Sequence, residues 1–352
     1  MLSIFNIERR YIYSLCVIVV LYQMTNYLVR NYTVYTTRTL VSSKTIQAAR
    51  TFRILWYARQ PYFFGSANLT ELGCKFTNCI LTEDKNTLNI SDVVLFAYRD
   101  MMSSVPTKKN GQIWVIVNIE SPANDADLSS VWYGKFDWSM TYRRDSEVLL
   151  NYLTFKREVP LSKNYHEIYK NKTKSVSWAV SNCYASSQRG KYVEELRKHI
   201  DVDIYGQCGS RACPGQSMPD CHEILSQNYK FYLGFENSLC KDYSTEKLFH
   251  TFLDNSNTIN VYRGAPNIKS MLPPKTYIDT RNFPNPKALA EYLLRLGLDE
   301  AEYISYLKET DKYHIDNERN YPRAICDLCQ VLNTNKTYNN LEIQWTGRNF
   351  NS

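Results

Sequence analysis

Three short stretches carry side chains whose types and spacing suit the chemistry of a sugar attached to a diphosphate. The first runs from Tyr229 to Phe252, YKFYLGFENSLCKDYSTEKLFHTF. It opens as an aromatic and apolar strand, Tyr229 to Phe235, and breaks at a polar elbow, Glu236-Asn237-Ser238. After Asp242-Tyr243-Ser244 it resumes as a helix, with Leu248, Phe249 and Phe252 at helical spacing. A helix start offers unpaired N–H groups, Lys247 adds a cation where a diphosphate would lie, and Glu246 can accept hydrogen bonds from ribose hydroxyls. The second stretch is Gln112 to Ile119, an apolar strand that ends on Glu120-Ser121-Pro122. Ligands in open α/β sheets sit at the carboxyl ends of strands, so a carboxylate delivered there is placed for chemistry. The third is Ser175 to Asn182, a strand followed by Arg189 at the approach to a helix. Taken one at a time, these residues also read as solvated charges: Glu120 pairing with a surface lysine, Glu246 and Lys247 on an exposed helix face, Arg189 on the surface.

The elements that must hold them have the rhythm of an α/β protein. Phe52 to Tyr57 and Asp92 to Tyr98 are continuous apolar runs of the kind found in parallel strands covered on both faces. Tyr192, Leu196 and His199 to Ile200 mark one helix face, Val202 to Gly206 is the next strand, and Ile259 to Gly264 another. Asn285 as N-cap and Pro286 at the first helical position start a helix through Leu289, Tyr292, Leu293 and Leu296, with Gly297 as its stop.

With 352 residues the chain can hold two modest domains with real cores. The net charge of +7 favours anionic ligands or membrane surfaces. No Lys/Arg run of the kind that tracks nucleic acid occurs, so nucleic acid is not an expected partner. Ten cysteines and N-glycosylation sequons at Asn31, Asn68, Asn89, Asn171 and Asn335 point to a lumenal or extracellular compartment. Arg9-Arg10 precede an apolar stretch, Tyr11 to Val29, without an evident small-residue cleavage site near its end, and a type II signal anchor fits it best. The expected order is a cytosolic tail over 1–10, a transmembrane helix over 11–29, a stem over 30–50, α/β domains over 51–165 and 166–335, and a tail over 336–352.

Among the cysteines, Cys74 and Cys79 are close enough to close a small loop, and Cys208, Cys213 and Cys221 cluster as disulfide partners do. Cys326-Asp327-Leu328-Cys329 has no second pair at zinc spacing and reads as a tight disulfide. With Cys16 set aside in the anchor an odd number remains, and Cys183 and Cys240 are the candidates for a free thiol. Asp125-Ala126-Asp127 and Asp201-Val202-Asp203 match the metal-binding Asp-x-Asp pattern by letter, a match expected by chance, so no metal ligand is assigned.

YKFYLGFENS followed by KDYSTEKLF resembles the donor-binding signature of the α1,3/α1,4-fucosyltransferases, glycosyltransferase family 10. Glu120-Ser121-Pro122, FDWSMTYRRDS at 136–146 and YIDTRNFPNPKALAEYL at 277–293 resemble further segments of that family, the last most of all its invertebrate and core-N-glycan branch. The resemblance covers roughly Phe52 to Leu332. It implies a GT-B architecture, two Rossmann-like domains facing across a cleft, and inverting transfer of L-fucose from GDP-fucose to the 3-hydroxyl of GlcNAc in a glycoprotein glycan. It implies Glu120 as the general base, with Asn182, Arg189, Tyr232, Glu236, Asn237, Tyr243, Glu246 and Lys247 around the donor. Arg189 and Lys247 would be a fixed cation set for the diphosphate, with no tightly bound cofactor, and non-essential stimulation by Mn2+ is compatible with that scheme. A Golgi membrane enzyme with its catalytic part in the lumen is the expectation. Arg143 and Arg144 would pin a loop.

Two departures set the chain apart from the family pattern: Thr258-Ile259-Asn260-Val261 where a Val-Pro-Val-Val type strand is usual, and Lys308-Glu309-Thr310 where a tryptophan usually follows the last long helix. They motivate an alternative, a catalytically silent homologue that binds glycan or nucleotide without transfer. A third reading is an enzyme using a UDP sugar.

Overall fold

The computed structural model describes residues 50–334 except 60–62, 64–67, 102, 126, 153, 158–162, 216, 254–255 and 317–319. The expected anchor over 11–29, the terminal tails and all of the stem but Arg50 lie outside the described residues. Among the described residues no helix is long and apolar enough to cross a membrane.

The first sheet is built from β1 (Phe52–Ala58), β2 (Cys79–Thr82), β3 (Val93–Ala97), β4 (Ile113–Asn118), β5 (Trp138–Thr141) and β6 (Val148–Leu149). Its order is β2-β1-β3-β4-β5-β6 and every pairing is parallel. All five residues of β3 are buried, which is why its sequence is an unbroken apolar run rather than an alternation. Leu55, Val94, Phe96 and Trp114 pack with Trp132 on one face; Ile54, Trp56, Val93, Leu95, Val115 and Val117 pack on the other.

After β7 (Thr154–Arg157) come α1 (Tyr165–Asn171), β8 (Lys174–Ala179), α2 (Arg189–Leu196), β9 (Val202–Tyr205), α3 (Met218–Asn228), β10 (Tyr229–Phe235), the single turn α4 (Glu246–Phe249), β11 (Ile259–Arg263) and β12 (Tyr277–Asp279). The second sheet, order β12-β11-β10-β8-β9, is also wholly parallel. Helices α5 (Pro286–Leu298) and α6 (Glu300–Thr310) follow, then β13 (Tyr313–Asp316), which pairs antiparallel with β7, and finally α7 (Asn320–Asn333).

Asn285 caps α5 as expected, its side chain accepting from the Ala288 N–H at 2.9 Å. Gly297 does not stop that helix. It is the penultimate residue, on the buried face, where an added Cβ would come within 3.4 Å of the Lys230 side chain, and the break falls at Asp299, which caps α6 by accepting from Glu302.

The last helix differs from the expected 166–335 unit in a more consequential way. Tyr321, Ala324, Ile325, Leu328 and Leu332 of α7 pack into the core of the first sheet, and the Tyr321 hydroxyl accepts from the Trp56 indole at 2.5 Å. The cysteines follow it. Cys74 pairs with Cys326 and Cys79 with Cys329, so neither the small loop nor the tight CxxC bridge forms. A CxxC on a helix turns its two sulfurs outward along one face, where two cysteines of a facing segment can meet them. Cys183 is bonded to Cys208 and Cys213 to Cys221, which leaves Cys240 as the free cysteine among the described residues.

Candidate active site

Both sheets end their strands at one junction. β4 runs buried to Asn118, and the chain then turns so that Glu120 stands beyond the strand end with its side chain about one-fifth exposed (21%). The turn is locally fixed. The Glu120 N–H donates to Asn118 Oδ1 at 3.0 Å, and the Ser121 N–H donates to Glu120 Oε1 at 2.9 Å. From the second sheet the Tyr243 hydroxyl and the Asn237 side-chain amide, the latter at 3.4 Å, reach the same Oε1. The Ser121 and Ser238 hydroxyls meet at 2.7 Å beside them. Burial, with Tyr152 and Glu120 as neighbours, pushes the Tyr243 phenol far above its usual range, so it keeps its proton and donates.

On the second sheet Glu236 is fully buried at the end of β10 and accepts from Thr245 through its N–H at 2.7 Å and its hydroxyl at 2.8 Å. Burial raises its carboxyl to about 7, against the pull of Lys247 and with the push of Glu246. It is thereby a clasp on the turn entering α4 rather than an exposed ligand. Lys247 Nζ bonds Thr245 Oγ1 at 2.9 Å and Glu246 Oε1 at 2.7 Å, and lies 3.8 Å from Glu236. Burial works against its charge, but the two carboxylates outweigh that and hold the ammonium above the ordinary lysine range. Glu246 is half exposed.

Arg189 is the first residue of α2 rather than its antecedent, and it is buried. Nη1 donates to the Phe235 carbonyl at 2.7 Å and Nη2 to the Asn182 carbonyl at 2.9 Å, while Nε has no partner. It ties the end of β10 to the loop after β8. Asn182 is exposed, its side chain accepting from the Tyr184 N–H at 3.3 Å. Tyr232 lies within β10, buried against His222, ring centroids 4.2 Å apart.

Glu120, Asn237 and Tyr243 are thus in direct contact, and Glu236, Glu246 and Lys247 form the adjoining cluster. Tyr232 packs in the core, and Arg189 faces inward onto carbonyls. Arg143 pairs with Asp145, and Arg144 donates through Nη1 to the Ser270 carbonyl at 3.1 Å and through its N–H to Asp242 at 3.3 Å, consistent with loop fixing. The arrangement can take a proton at Glu120 and hold negative charge beside Lys247.

Sequence reading missed Arg99, Asn118 and Asn124. Arg99 and Asn118 could have been found by the carboxyl-end rule that found Glu120; Asn260 was read as a departure from the family pattern. Among the described residues no group of three or more His, Cys, Asp or Glu is arranged to hold a metal ion. Asp125 is engaged by Arg99 and Asn118, and Asp203 by Lys174, Arg211 and Tyr229.

Residues 49–153 match the family model described as Fucosyltransferase, N-terminal, and residues 169–345 match Glycosyltransferase family 10 (fucosyltransferase) C-term. The chain is 33% identical over 282 residues to Glycoprotein 3-alpha-L-fucosyltransferase A of Drosophila melanogaster, covering 78% of this chain and 56% of that protein. It is 30% identical over 302 residues to Alpha-(1,3)-fucosyltransferase fut-5 of Caenorhabditis elegans, covering 80% and 78%. The chain therefore spans little more than half of the Drosophila protein (56%). A crystal structure of an alpha1,3-fucosyltransferase with GDP-fucose shares the fold, with a TM-score of 0.53 at 18% identity over 85% of this chain and 95% of that one. Two wholly parallel α/β sheets meeting at their strand ends are the GT-B-like arrangement, and the chain belongs to glycosyltransferase family 10, the fucosyltransferases.

Proposed function

We propose that the chain is an inverting α1,3-fucosyltransferase that moves L-fucose from GDP-fucose onto the 3-hydroxyl of a GlcNAc residue in a glycoprotein N-glycan. The observation that carries this is the seat of Glu120: a carboxylate beyond the end of one sheet, held by Asn237 and Tyr243 of the other, next to the turn that bears Lys247. Glu120 takes the proton of the acceptor hydroxyl as that oxygen attacks the anomeric carbon of fucose from the face opposite the diphosphate. The fucose–phosphate bond breaks, its electron pair stays on GDP, and Lys247 stabilises the charge that grows there. Inversion needs this one base and in-line attack. Arg189 supports the scheme by fixing the strand ends around the donor loop rather than by facing outward.

The name of the Drosophila relative, a glycoprotein fucosyltransferase, favours a protein-linked glycan, and the resemblance of the 277–293 segment to the invertebrate and core-N-glycan branch favours the innermost GlcNAc over a terminal N-acetyllactosamine unit. Four disulfides fit an oxidising compartment, and Asn68, Asn89 and Asn171 are exposed as glycan acceptors must be. With the apolar stretch at 11–29 they support a Golgi enzyme anchored as a single-pass type II protein with its catalytic part lumenal.

The test is to incubate the full chain with GDP-fucose, with or without Mn2+, and separately with core-GlcNAc and N-acetyllactosamine glycans, and to map the linkage formed. Transfer by wild type, loss of turnover in Glu120→Gln and retained GDP binding in that variant are expected. GDP binding without any fucosylated product from wild type would instead support a silent homologue, and preference for a UDP donor would overturn the assignment of the nucleotide.

A further inference from the structure

Asp125 belongs to an Asp-x-Asp run, yet its carboxylate is closed into a ring of side chains that ends on Glu120. It is 1% exposed although it lies in a loop. Asn118 Nδ2 donates to its Oδ2 at 2.5 Å, and Arg99 Nε donates to its Oδ1 at 2.9 Å. Each of those two partners also meets Glu120, Asn118 at its main chain and Arg99 at its carboxylate. Asn118 Oδ1 takes the Glu120 N–H at 3.0 Å, and Arg99 Nη2 stands 3.7 Å from Glu120 Oε2. The same Nη2 donates to the Asn124 carbonyl at 3.2 Å, and the Asn124 side-chain amide lies 3.5 Å from Glu120 Oε1.

From this ring we infer that Asp125 is a positioning residue for Glu120, orienting it through Asn118 and Arg99 and holding the Arg99 guanidinium back from the base. The inference rests on the reading of Glu120 as the base of fucosyl transfer. Its physical content is a competition. Asp125 takes the shorter contact with Arg99, 2.9 Å against 3.7 Å, so the guanidinium is already compensated and Glu120 Oε2 stays available for a proton. An asparagine at 125 keeps the shape and one acceptor but removes the charge that faces Arg99 Nε, which strengthens the pull between Arg99 and Glu120. Closing that gap by about 1 Å would draw Oε2 out of line with an attacking hydroxyl, and misplacement on that scale costs on the order of a hundredfold in rate. Arg99 is half exposed and can be replaced without disturbing the core.

The experiment compares the full-length wild type, Asp125→Asn, Arg99→Gln and the double variant by steady-state kinetics, by GDP titration and by crystallography. Asp125→Asn should lower kcat about tenfold or more while the Kd for GDP stays within about twofold, and its crystals should show the Glu120 carboxylate shifted towards Arg99. In the double variant Arg99 is gone, so the loss in kcat should be smaller than in Asp125→Asn alone, because the two residues act on Glu120 through one contact. An unchanged kcat, a GDP affinity that falls in step with kcat, or a double variant whose losses simply add would overturn the inference. If Asp125→Asn does not fold, Asn118→Ala, which cuts the other arm of the ring, replaces it with the same expected split between kcat and Kd. Should wild type transfer no fucose at all, the parent reading fails on its own account, and the position of Glu120 in the Asp125→Asn crystals decides the positioning claim alone.

Discussion

The side-chain amide of Asn260 donates to the main-chain carbonyls of Lys247 at 3.2 Å and Leu248 at 3.3 Å, so the turn bearing Lys247 hangs from β11. Those two carbonyls fix which end of the amide faces them, since only the NH₂ can donate. Asn260 is fully buried and its Oδ1 has no partner. A Cβ on Gly234 would lie 2.5 Å from both ends of that amide, so the glycine is what makes room for it.

Asn260→Val should therefore change the donor site more than the fold. It removes an orphaned buried acceptor while releasing two carbonyls, effects of about 1–3 kcal/mol that oppose one another. Thermal unfolding should move by only a few degrees, whereas KM for GDP-fucose should rise about three- to tenfold as Lys247 loses its tether. Asn260→Asp, which buries a charge, should be strongly destabilised by comparison. A Val variant with unchanged KM would remove Asn260 from the donor site.

Tyr243→Phe should lower kcat by about tenfold, because the hydroxyl that seats Glu120 is gone. The stability cost should be about 1–3 kcal/mol, the usual range when a buried hydrogen-bond partner is left unsatisfied. In a Glu120→Gln background the same change should have little further effect on turnover. Full additivity in that double variant would argue that Tyr243 acts elsewhere.

Glu236 makes stability depend on pH. Its folded carboxyl titrates at about 7, against 4.5 when unconstrained, because of burial. The native state therefore binds the proton more tightly, and the contribution is present in full below pH 4.5 and lost as pH rises through about 7. The ceiling is on the order of 3 kcal/mol. Glu236→Gln cannot make that loss, so the difference in unfolding free energy between variant and wild type should rise, in the variant's favour, from pH 4.5 to 7.5. A difference that stays flat across that range would show that Glu236 keeps an ordinary carboxyl.

Cys326→Ser should cost about 2–5 kcal/mol, since Cys74–Cys326 closes 252 residues of chain and pins α7 to the first sheet. Chemical denaturation of the variant and of the reduced wild type should both show the loss. Cys183→Ser, whose bridge to Cys208 spans 25 residues, should cost less by the same entropic reasoning.

Much of the strand framework was legible because the central parallel strands are rich in buried apolar residues, β3 without interruption; β3, β4, β8 and β10 lie within a few residues of where Asp92, Gln112, Ser175 and Tyr229 placed them. The end of each run at a polar residue also marked where side chains of the site would gather, and Glu120, Glu236, Asn237, Glu246 and Lys247 do gather there. What the order of residues could not disclose was contact across distance. Cys74 and Cys79 looked like partners because they are neighbours along the chain, yet the helix that pairs with them begins near residue 320. Tyr232 and Arg189 were in the right motifs, but the direction of a side chain depends on which helix covers the strand, and α3 covers Tyr232. Asp125 was visible as letters, while its ring depends on the turn after β3 meeting the end of β4 and the segment beyond it.

The return of α7 to the first sheet has a consequence for how the chain is made. A ribosome that has completed β6 has produced a sheet whose cover does not yet exist, since Tyr321 to Leu332 emerge only after every strand of the second sheet. Cys74 and Cys79 must wait through about 250 residues of translation for Cys326 and Cys329, with each other as the nearest wrong choice. Chains released before α7 would carry an open apolar flank and two unmatched thiols, marks by which quality control can tell an unfinished molecule from a finished one.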